Sequence, residues 1–310
     1  MPDLDADPVL IPPVPTLTVD AAFDRYEAIR PRLPQAGPPV ESREAPDLIS
    51  IAERYDGFLF DSFGVLNVGE TAIPGAAACL EALRDMGKRI CILTNAASYT
   101  SAEAHRKYER LGLDIRPEEI VSSRDVSFAH LTRRWPGLTW AAIAAEGDDF
   151  ADAGAEVADL LSDERLWDTA DGFLFLSSVR WSQLLQDRLL AALEARPRPL
   201  VVGNPDLVAP RETGLTIEPG YWAHDIQDRC GQAPVFYGKP FGEAFQLSSE
   251  RLGGGRLAMV GDTLHTDILG GQDAGFDTIL VTDHGLFAGR SEKPFMERSR
   301  IMPDWVIPAI

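Results

Sequence analysis

The sequence predicts an α/β fold built on a parallel sheet, with a second α/β domain inserted into the first. From residue 56 onward, short apolar runs alternate with segments of helical spacing, and the same alternation returns after residue 256. Alternating strands and helices favour a parallel sheet with helices on its faces. More strand-like runs lie between these two segments, so we expect one discontinuous core domain interrupted by an inserted domain.

The first half of the core is predicted element by element. An apolar run over 56–60 predicts a strand that leads directly to an aspartate. The leucines of 76–86 recur at helical spacing and a glycine follows, which is typical of a helix end. The β-branched run 88–93 predicts a second strand, and 101–111 predicts a second helix closed by a glycine.

The remaining elements belong to the arm, the insert and the second half of the core. Residues 1–49 hold ten of the 23 prolines and predict an extended arm with one short helix over 19–29. For the insert, the patterns predict strands over 139–143, 172–176 and 200–202 and a helix over 182–195. For the second half of the core they predict strands over 256–260, 277–281 and 304–307. The predicted domains are the arm (1–49), a core of 50–123 plus 236–310, and an insert of 124–235.

The charge excludes several classes of protein. The chain of 310 residues has 29 Lys plus Arg against 48 Asp plus Glu, a formal net charge of −19. Such a chain is not expected to bind nucleic acid or anionic membranes, because both carry negative charge. A site for anions would need local positive charge, and the chain has only four lysines.

Compartment and membrane topology are predicted from simpler features. The three cysteines are too few and too scattered for a disulfide framework or a zinc site, which suits a reducing compartment. No run of 18 apolar residues occurs, so no membrane span is expected. The acidic start MPDLDADP lacks the pattern of a signal peptide, and a cytoplasmic protein is therefore expected.

Polar side chains follow three of the predicted strands. Asp61 follows the first strand, Thr94 and Asn95 follow the second, and Asp262 follows the strand over 256–260. Ligands of parallel α/β sheets bind outside the carboxyl ends of the strands. An aspartate at such an end can attack phosphorus, carboxylate oxygens suit Mg²⁺, and Lys239 would neutralise phosphoryl oxygens. Each signal alone is weak, but their order along the chain predicts a phosphoryl-transfer site.

This ordered set resembles the haloacid dehalogenase (HAD) superfamily of phosphohydrolases over residues 50–310. The matching motif residues are, in order, Asp61, Thr94, Lys239, and Asp262 with Asp267. The large insert after Thr94 is similar to that of subfamily IIA, and the run 203–206 with Pro219-Gly220 resembles that subfamily's cap pattern. The resemblance implies a Rossmann-like core, an inserted α/β cap of type C2, and hydrolysis of phosphate esters with Mg²⁺ through an aspartyl-phosphate.

The resemblance also implies a role for each motif residue. Asp61 would be the nucleophile and a metal ligand, with Asp262 and the backbone carbonyl of Phe63 as further ligands. Asp267 would support the waters of the metal or orient Lys239. Thr94, Asn95 and Lys239 would hold the phosphoryl group, and Asn204 and Asp206 would help to shape the substrate pocket. The substrate would be a small phosphorylated metabolite: a sugar phosphate, a nucleotide, or an aryl or acyl phosphate. Association of copies through the cap stays open.

One departure from the family pattern affects catalysis. Family phosphatases carry a second aspartate at the position of Phe63, where it protonates the leaving group and then activates water. General acid–base catalysis is worth roughly 10²–10⁴-fold. Three explanations are open: substrates with good leaving groups, a proton from another residue, or a relative without turnover that binds a phosphorylated ligand. His265 is a candidate acid, and Arg180 and Arg211 of the insert are either anion contacts or solvated surface residues.

Overall fold

The strands occupy two main sheets and two short hairpins. In this computed structural model, residues 17–38, 40–211 and 214–310 are described, and the part of the arm prediction on 1–16 lies outside them. The strands are β1 (Arg43–Glu44), β2 (Gly57–Phe60), β3 (Asn67–Val68), β4 (Thr71–Ala72), β5 (Arg89–Thr94), β6 (Ile120–Ser122), β7 (Thr139–Ile143), β8 (Glu156–Asp159), β9 (Gly172–Phe175), β10 (Leu200–Val202), β11 (Val208–Arg211), β12 (Gly214–Ile217), β13 (Val235–Phe236), β14 (Leu257–Gly261), β15 (Asp277–Val281) and β16 (Trp305–Ile307).

The helices alternate with these strands over most of the chain. They are α1 (Val19–Ile29), α2 (Ala76–Asp85), α3 (Ser101–Arg110), α4 (Ser123–Arg134), α5 (Leu166–Thr169), α6 (Gln183–Ala195), α7 (Pro219–Cys230), α8 (Gly242–Leu252), α9 (Leu269–Asp273) and α10 (Lys293–Ser299). Short segments of 3₁₀-helix cover Arg30–Arg32, Ile49–Arg54 and Pro117–Glu119, and one π-helical turn covers Leu264–Ile268. None of the helices in the described ranges is long and apolar enough to cross a membrane.

The larger sheet confirms the predicted parallel α/β core. Its seven strands have the order β1-β16-β15-β14-β2-β5-β6, and every neighbouring pair is parallel. All four residues of β2 and all five of β14 are buried, as expected for central strands covered on both faces. The strand β2 therefore lies inside the sheet, with β5 and β6 on one side of it and β14, β15 and β16 on the other.

Two helices show how local sequence produces the core. In α2, Ala76, Leu80 and Leu83 are buried on one side, the spacing of a single helix face. The helix α3 begins with a capping box, in which the Thr100 hydroxyl accepts from the Glu103 N–H and the Glu103 carboxylate accepts from the Thr100 N–H. Both helices flank β5, so the polar residues at the end of β5 are held on a rigid support.

The smaller sheet is built within residues 139–236. Its five strands have the order β13-β10-β9-β7-β8 and are all parallel. Between β10 and β13 the chain forms the antiparallel hairpin β11–β12. The helix α4, which precedes this sheet, buries Val126, Phe128 and Leu131 in a cluster that includes core residues such as Leu59 and residues of the smaller sheet such as Leu174. The two sheets therefore share a continuous apolar contact.

The helix α1 lies against both parts of the fold. On the core side, Phe23 packs against Phe295 with ring centroids 5.0 Å apart, and Glu27 Oε1 lies 2.6 Å from His265 Nε2. On the side of the insert, the Tyr26 hydroxyl accepts from the backbone N–H of Leu207 at 3.0 Å. Arg25 and Arg32 both pair with Asp228 of α7. The helical part of the arm thus contacts the core and the insert together.

Predicted and observed elements agree closely where the pattern is strong. The helix over 19–29 and the strands over 139–143, 200–202 and 277–281 have the predicted bounds, and the other predicted elements differ by about one residue at an end. The sequence did not predict α4, α7, β6, β8 or the hairpin β11–β12. The hairpin strands are short and contain a proline, Pro210, so neither carries a strong period-two signal.

We expect His224 to contribute to the loss of stability in acid. Its ring is buried and stacks on Phe236 with centroids 4.7 Å apart. Burial, with Arg32 and Arg25 nearby, lowers its pKa to about 3. The unfolded chain, with a histidine pKa of about 6.5, therefore binds more protons than the folded chain between these values. Stability falls as the pH falls through this window.

Urea unfolding at pH 7 and at pH 4.5 measures this contribution. His224→Leu should lose less unfolding free energy over that interval than the wild type. His284→Leu, in the loop after β15, serves as the control and should keep the wild-type pH dependence. Equal pH dependence in the wild type and His224→Leu would count against the role of His224.

Candidate active site

Three adjacent central strands end in the polar residues of the site. The strands β14, β2 and β5 are neighbours, with Val260 opposite Phe60 and Phe60 opposite Ile92. Asp262 follows β14, Asp61 follows β2, and Thr94 is the last residue of β5. Parallel strands place their carboxyl ends at one edge, so the sheet brings these side chains together as expected.

A cluster of three carboxylates lies at this edge. One oxygen each of Asp61, Asp262 and Asp267 lies within 4.8 Å of the others. Asp267 comes from the π-helical turn, and its Oδ2 accepts from the backbone N–H of Thr263 at 3.0 Å. Lys239 Nζ lies 2.5 Å from Asp61 Oδ1 and 2.7 Å from Asp267 Oδ1. Three of the four sequence motifs, those of Asp61, Lys239 and Asp262 with Asp267, therefore form one group.

The cluster holds more negative charge than its lysine balances. Burial raises the pKa of Asp61 to about 7, against the attraction of Lys239, and burial with Asp267 raises that of Asp262 to about 8. Burial alone would lower the pKa of Lys239, but Asp267, Asp61 and Asp206 together raise it. When all three carboxylates are ionised, as metal ligation requires, they and one ammonium leave two negative charges. The donor set therefore fits a divalent cation that prefers oxygen ligands.

Close packing fixes the carboxylate of Asp262. Its Oδ1 accepts from the Thr263 hydroxyl at 2.9 Å and its Oδ2 accepts from the Leu286 N–H at 2.8 Å. Gly64 has φ +84°, and a Cβ at this position would lie 2.4 Å from Asp262 Oδ2. Only glycine combines that conformation with that approach. The loop after β2 thus needs Gly64 to pass over the carboxylate.

The loop that carries Asp61 is held from the side of α3. Asp61 Oδ1 accepts from the Ser62 N–H at 2.7 Å. The Ser62 hydroxyl donates to Asn67 Oδ1 at 2.7 Å and accepts from the Tyr108 hydroxyl at 3.0 Å. Asp61 keeps 14% of its side-chain surface, whereas Asp267 keeps none. Asp61 is therefore the more accessible carboxylate, and it lines the cavity above the cluster.

Residues at the end of β5 hold the opposite side of the site. Thr94 is buried and lines the cavity, and its hydroxyl accepts from the Ala96 N–H at 3.2 Å. The Asn95 side chain accepts from the Lys239 N–H at 2.7 Å and donates to the Lys239 carbonyl and to Asp206 Oδ1 at 2.9 and 2.8 Å. Asn95 therefore fastens the Lys239 loop and the insert. Its predicted contact with phosphate stays a prediction.

The insert closes the cavity with the run 204–206. Asn204 Nδ2 donates to Glu218 Oε2 at 3.1 Å, and Asn204, Asp206 and Glu218 line the cavity. Burial raises the pKa of both Asp206 and Glu218. A Cβ on Gly220 would lie 2.0 Å from the Pro205 carbonyl oxygen, so α7 can begin against this run only with glycine there. This contact explains why Pro219-Gly220 accompanies the run in the sequence.

Phe63 lies between two cations in the wall of the cavity. Lys107 Nζ of α3 lies 4.1 Å from the ring centroid, and the guanidinium carbon of Arg211 lies 4.8 Å from it. Arg180, the other arginine considered in the sequence, instead pairs with both oxygens of Asp159 at 2.8 Å. The structure therefore separates the two arginines, and only Arg211 of this pair lines the cavity.

His265 is held in the contact with α1. Its ring stacks on Tyr26 with centroids 4.8 Å apart, in addition to its bond with Glu27. The ring is almost fully buried there. These partners give His265 a packing role and do not favour it as the replacement acid. No local pattern indicates this contact, because its two sides are 238 residues apart along the chain.

Comparison with known proteins agrees with this geometry. A family model for haloacid dehalogenase-like hydrolases matches residues 58–156, and an HAD-hydrolase-like model matches residues 236–309. An acid sugar phosphatase of Staphylococcus haemolyticus is 29% identical over 74% of this chain and 86% of its own. The ribonucleotide monophosphatase NagD of Escherichia coli is 27% identical over 81% of this chain and 94% of its own.

The fold also matches solved structures. A structure described as a possible sugar phosphatase of the HAD superfamily from Cytophaga hutchinsonii superposes with a TM-score of 0.74. It is 24% identical and covers 87% of this chain and 98% of its own. The two family matches lie on the segments that carry Asp61, Thr94, Lys239 and Asp262. The chain therefore belongs to the haloacid dehalogenase superfamily of hydrolases, and within it to subfamily IIA.

Proposed function

We propose that this hydrolase is a Mg²⁺-dependent phosphatase of a small phosphorylated metabolite and acts through an aspartyl-phosphate on Asp61. The observation that carries the proposal is the grouping of Asp61, Asp262, Asp267 and Lys239 beneath one cavity. The sugar and nucleotide phosphatases among its relatives support it. Turnover of p-nitrophenyl phosphate with and without Mg²⁺ is the direct test.

Asp61 performs the covalent step. One of its carboxylate oxygens attacks phosphorus, a new O–P bond forms, and the bond from phosphorus to the leaving oxygen breaks with its electron pair. Water then hydrolyses the mixed anhydride and returns the carboxylate and inorganic phosphate. Asp61 suits this role because it is the most accessible of the three carboxylates. Its side chain is 14% exposed, whereas Asp262 and Asp267 are buried, and it lines the cavity.

A divalent cation would be held by Asp61, Asp262 and the Phe63 backbone carbonyl. Bound there, Mg²⁺ supplies positive charge to the transferring phosphoryl group. The Lys239 ammonium pairs with both Asp61 and Asp267, so Asp267 orients the lysine. Asp267 would also support the waters of the metal. Thr94 and Lys239 bind the phosphoryl oxygens from the other side, and the N–H groups after β5 add to them.

The segment 124–235 acts as the cap. Its residues Asn204 and Asp206 line the cavity opposite Asp61, where they limit the size of the substrate and exclude water. The sugar phosphate, nucleotide, and aryl or acyl phosphate classes all stay in the proposal, since the cavity is lined by both carboxyl and cationic groups. A cytoplasmic location and association through the cap remain predictions.

Phe63 supports a second candidate function. A protein that keeps the phosphate site but lacks the acid would bind a phosphorylated ligand without turnover. A panel of phosphate esters with leaving groups of graded pKa separates the two candidates. A phosphatase without its acid should favour leaving groups of low pKa steeply. Absence of turnover on every ester, together with measurable binding of Mg²⁺ and phosphate, would favour the binding protein.

Mg²⁺ should raise the melting temperature of the protein through the carboxylate cluster. A ligand that binds only the folded state stabilises it by RT ln(1 + [L]/Kd), about 2.7 kcal/mol at a hundredfold excess over Kd. Asp262→Asn removes a ligand and one charge of the buried cluster, so its metal-free melting temperature should equal or exceed that of the wild type, and the response to Mg²⁺ should vanish.

Thermal unfolding with EDTA and with 5–10 mM Mg²⁺, about a hundredfold excess over a Kd of about 50–100 µM, checks this prediction. Asp273→Asn, at the end of α9, is the control and should respond to Mg²⁺ as the wild type does. A wild-type response retained in Asp262→Asn would place the metal elsewhere.

A further inference from the structure

The cavity above Asp61 continues into a second one, and Arg211 stands at the junction. The second cavity is bounded by the loop after β9 and the hairpin β11–β12. Both cavities are lined by Ser98, Tyr99, Arg211 and Glu218. Among the lining residues in the described parts of the chain, Arg211 is the cationic side chain in both. A leaving group that extends from phosphorus toward the second cavity must pass it.

The guanidinium of Arg211 is only loosely engaged by the protein. Its Nε lies 3.4 Å from the Thr216 hydroxyl, and its Nη2 lies 3.5 Å from Glu218 Oε1. The Glu218 carboxylate also accepts from the Thr216 hydroxyl at 2.9 Å and from Asn204 at 3.1 Å. About a third of the Arg211 side chain is exposed. By contrast, Arg180 is held by short bonds to both oxygens of Asp159.

Arg211 lies over Phe63, the residue that stands where the family has its general acid. A phenyl ring cannot donate a proton to a departing oxygen, but its face holds a guanidinium in a defined place. A second cation also lies near the ring: Lys107 Nζ is 4.1 Å from the centroid and pairs with Glu70 at 3.3 Å. The site therefore offers a leaving group positive charge where the family offers a proton.

We infer that Arg211 binds an anionic leaving group, so that the preferred substrates are phosphoric anhydrides whose leaving group is a carboxylate or a phosphate. This inference rests on the proposed function. The bond between phosphorus and the bridging oxygen breaks, and the oxygen keeps the electron pair and leaves as a stable anion without needing a proton. The planar guanidinium matches both anions through paired N–H donors.

Steady-state kinetics on four substrates tests the inference. The substrates are acetyl phosphate and pyrophosphate, which release anions of a carboxylic acid and of phosphate, p-nitrophenyl phosphate, and glycerol phosphate. Arg211→Gln should lower kcat/KM for acetyl phosphate and pyrophosphate by about 10- to 100-fold, the range for a charge-assisted hydrogen bond. For p-nitrophenyl phosphate the change should stay within about threefold, since the phenolate that leaves presents one oxygen and not the pair of oxygens that the guanidinium N–H donors match. Arg211→Lys should recover part of the loss.

Arg229→Gln is the matched control. It removes the same charge from the insert but lies on the outer end of α7, paired with Asp187 and Asp225. It should leave all four rates unchanged. An equal loss on all substrates in Arg211→Gln, or no loss on the anhydrides, would overturn the inference while leaving the phosphatase in place. A loss confined to either anhydride would identify carboxylate or phosphate as the anion that is bound.

Binding gives a readout that does not depend on turnover. In Asp61→Asn, methylenediphosphonate and methylphosphonate can be titrated by calorimetry in the presence of Mg²⁺. Adding Arg211→Gln should raise the Kd of methylenediphosphonate about tenfold and leave the Kd of methylphosphonate unchanged. Equal affinities with and without Arg211 would contradict the assignment even if the wild type hydrolysed none of the four substrates. Failure of the proposed function has a different sign: the single variant Asp61→Asn would keep its turnover.

Discussion

Asp61→Asn should reduce turnover of p-nitrophenyl phosphate by a factor on the order of 10⁴ or more, the scale seen when a catalytic nucleophile is removed. An amide oxygen does not form the mixed anhydride, and the variant also loses a charged oxygen from the carboxylate cluster. The fold should survive. Asparagine fills the same space, and one carboxylate fewer relieves the repulsion that raises the pKa of Asp262. Initial rates with Mg²⁺ and a thermal unfolding curve measure both effects.

A matched control lies at the other end of the same strand. Asp56 precedes β2 and accepts from the Arg256 N–H at the opposite edge of the sheet. Asp56→Asn should therefore keep wild-type turnover. Turnover that persists in Asp61→Asn would remove Asp61 as the nucleophile, and equal losses in both variants would point to damage to the sheet.

Phe63→Asp should raise the hydrolysis of esters with poor leaving groups, such as glycerol phosphate, by up to roughly 10²–10⁴-fold. The new carboxyl would stand where the family has its acid, between the Lys107 ammonium and the Arg211 guanidinium that now face the ring. Esters with good leaving groups should gain little, because they need no proton. The plot of log kcat/KM against leaving-group pKa should therefore become flatter in the variant.

Phe63→Asn separates the acid from the removal of the ring. It opens the same space without a titratable group and should show no gain on glycerol phosphate. A correctly folded Phe63→Asp variant without any gain would mean that the missing acid does not limit this enzyme. A gain shared by Phe63→Asn would assign the effect to access past the ring.

Much of the candidate site could be predicted because three of the motif residues lie at the ends of strands with a strong local pattern. Asp61, Thr94 and Asp262 follow runs of consecutive buried apolar residues, and parallel strands bring their ends together without further information. A Gly-Lys-Pro turn has no periodic signal, so Lys239 is predicted from its charge and its place in the order of polar residues along the chain, and the family resemblance adds its motif. The structure then placed it between Asp61 and Asp267.

The wall of the cavity could not be predicted for a physical reason. Phe63, Lys107 and Arg211 meet from a loop, the helix α3 and the hairpin β11–β12, at separations of 44 residues or more along the chain. Nothing in the local pattern around Lys107 or Arg211 distinguishes them from the solvated cations of a helix and a turn. The pairing of His265 with Glu27 is hidden for the same reason.

The contacts of α1 join the insert to the core, so they would oppose an opening of the cavity. If α1 stays on the core, rotation of the insert away from the core has to break the ion pairs of Arg25 and Arg32 with Asp228. It also has to break the hydrogen bond between Tyr26 and Leu207. Partly exposed pairs of this kind are worth about 1 kcal/mol or less each. Together, the three contacts would shift the equilibrium constant between closed and open forms by about a hundredfold at most. A segment that lies before the matched family residues would therefore favour the closed form, although its residues lie outside the carboxylate cluster.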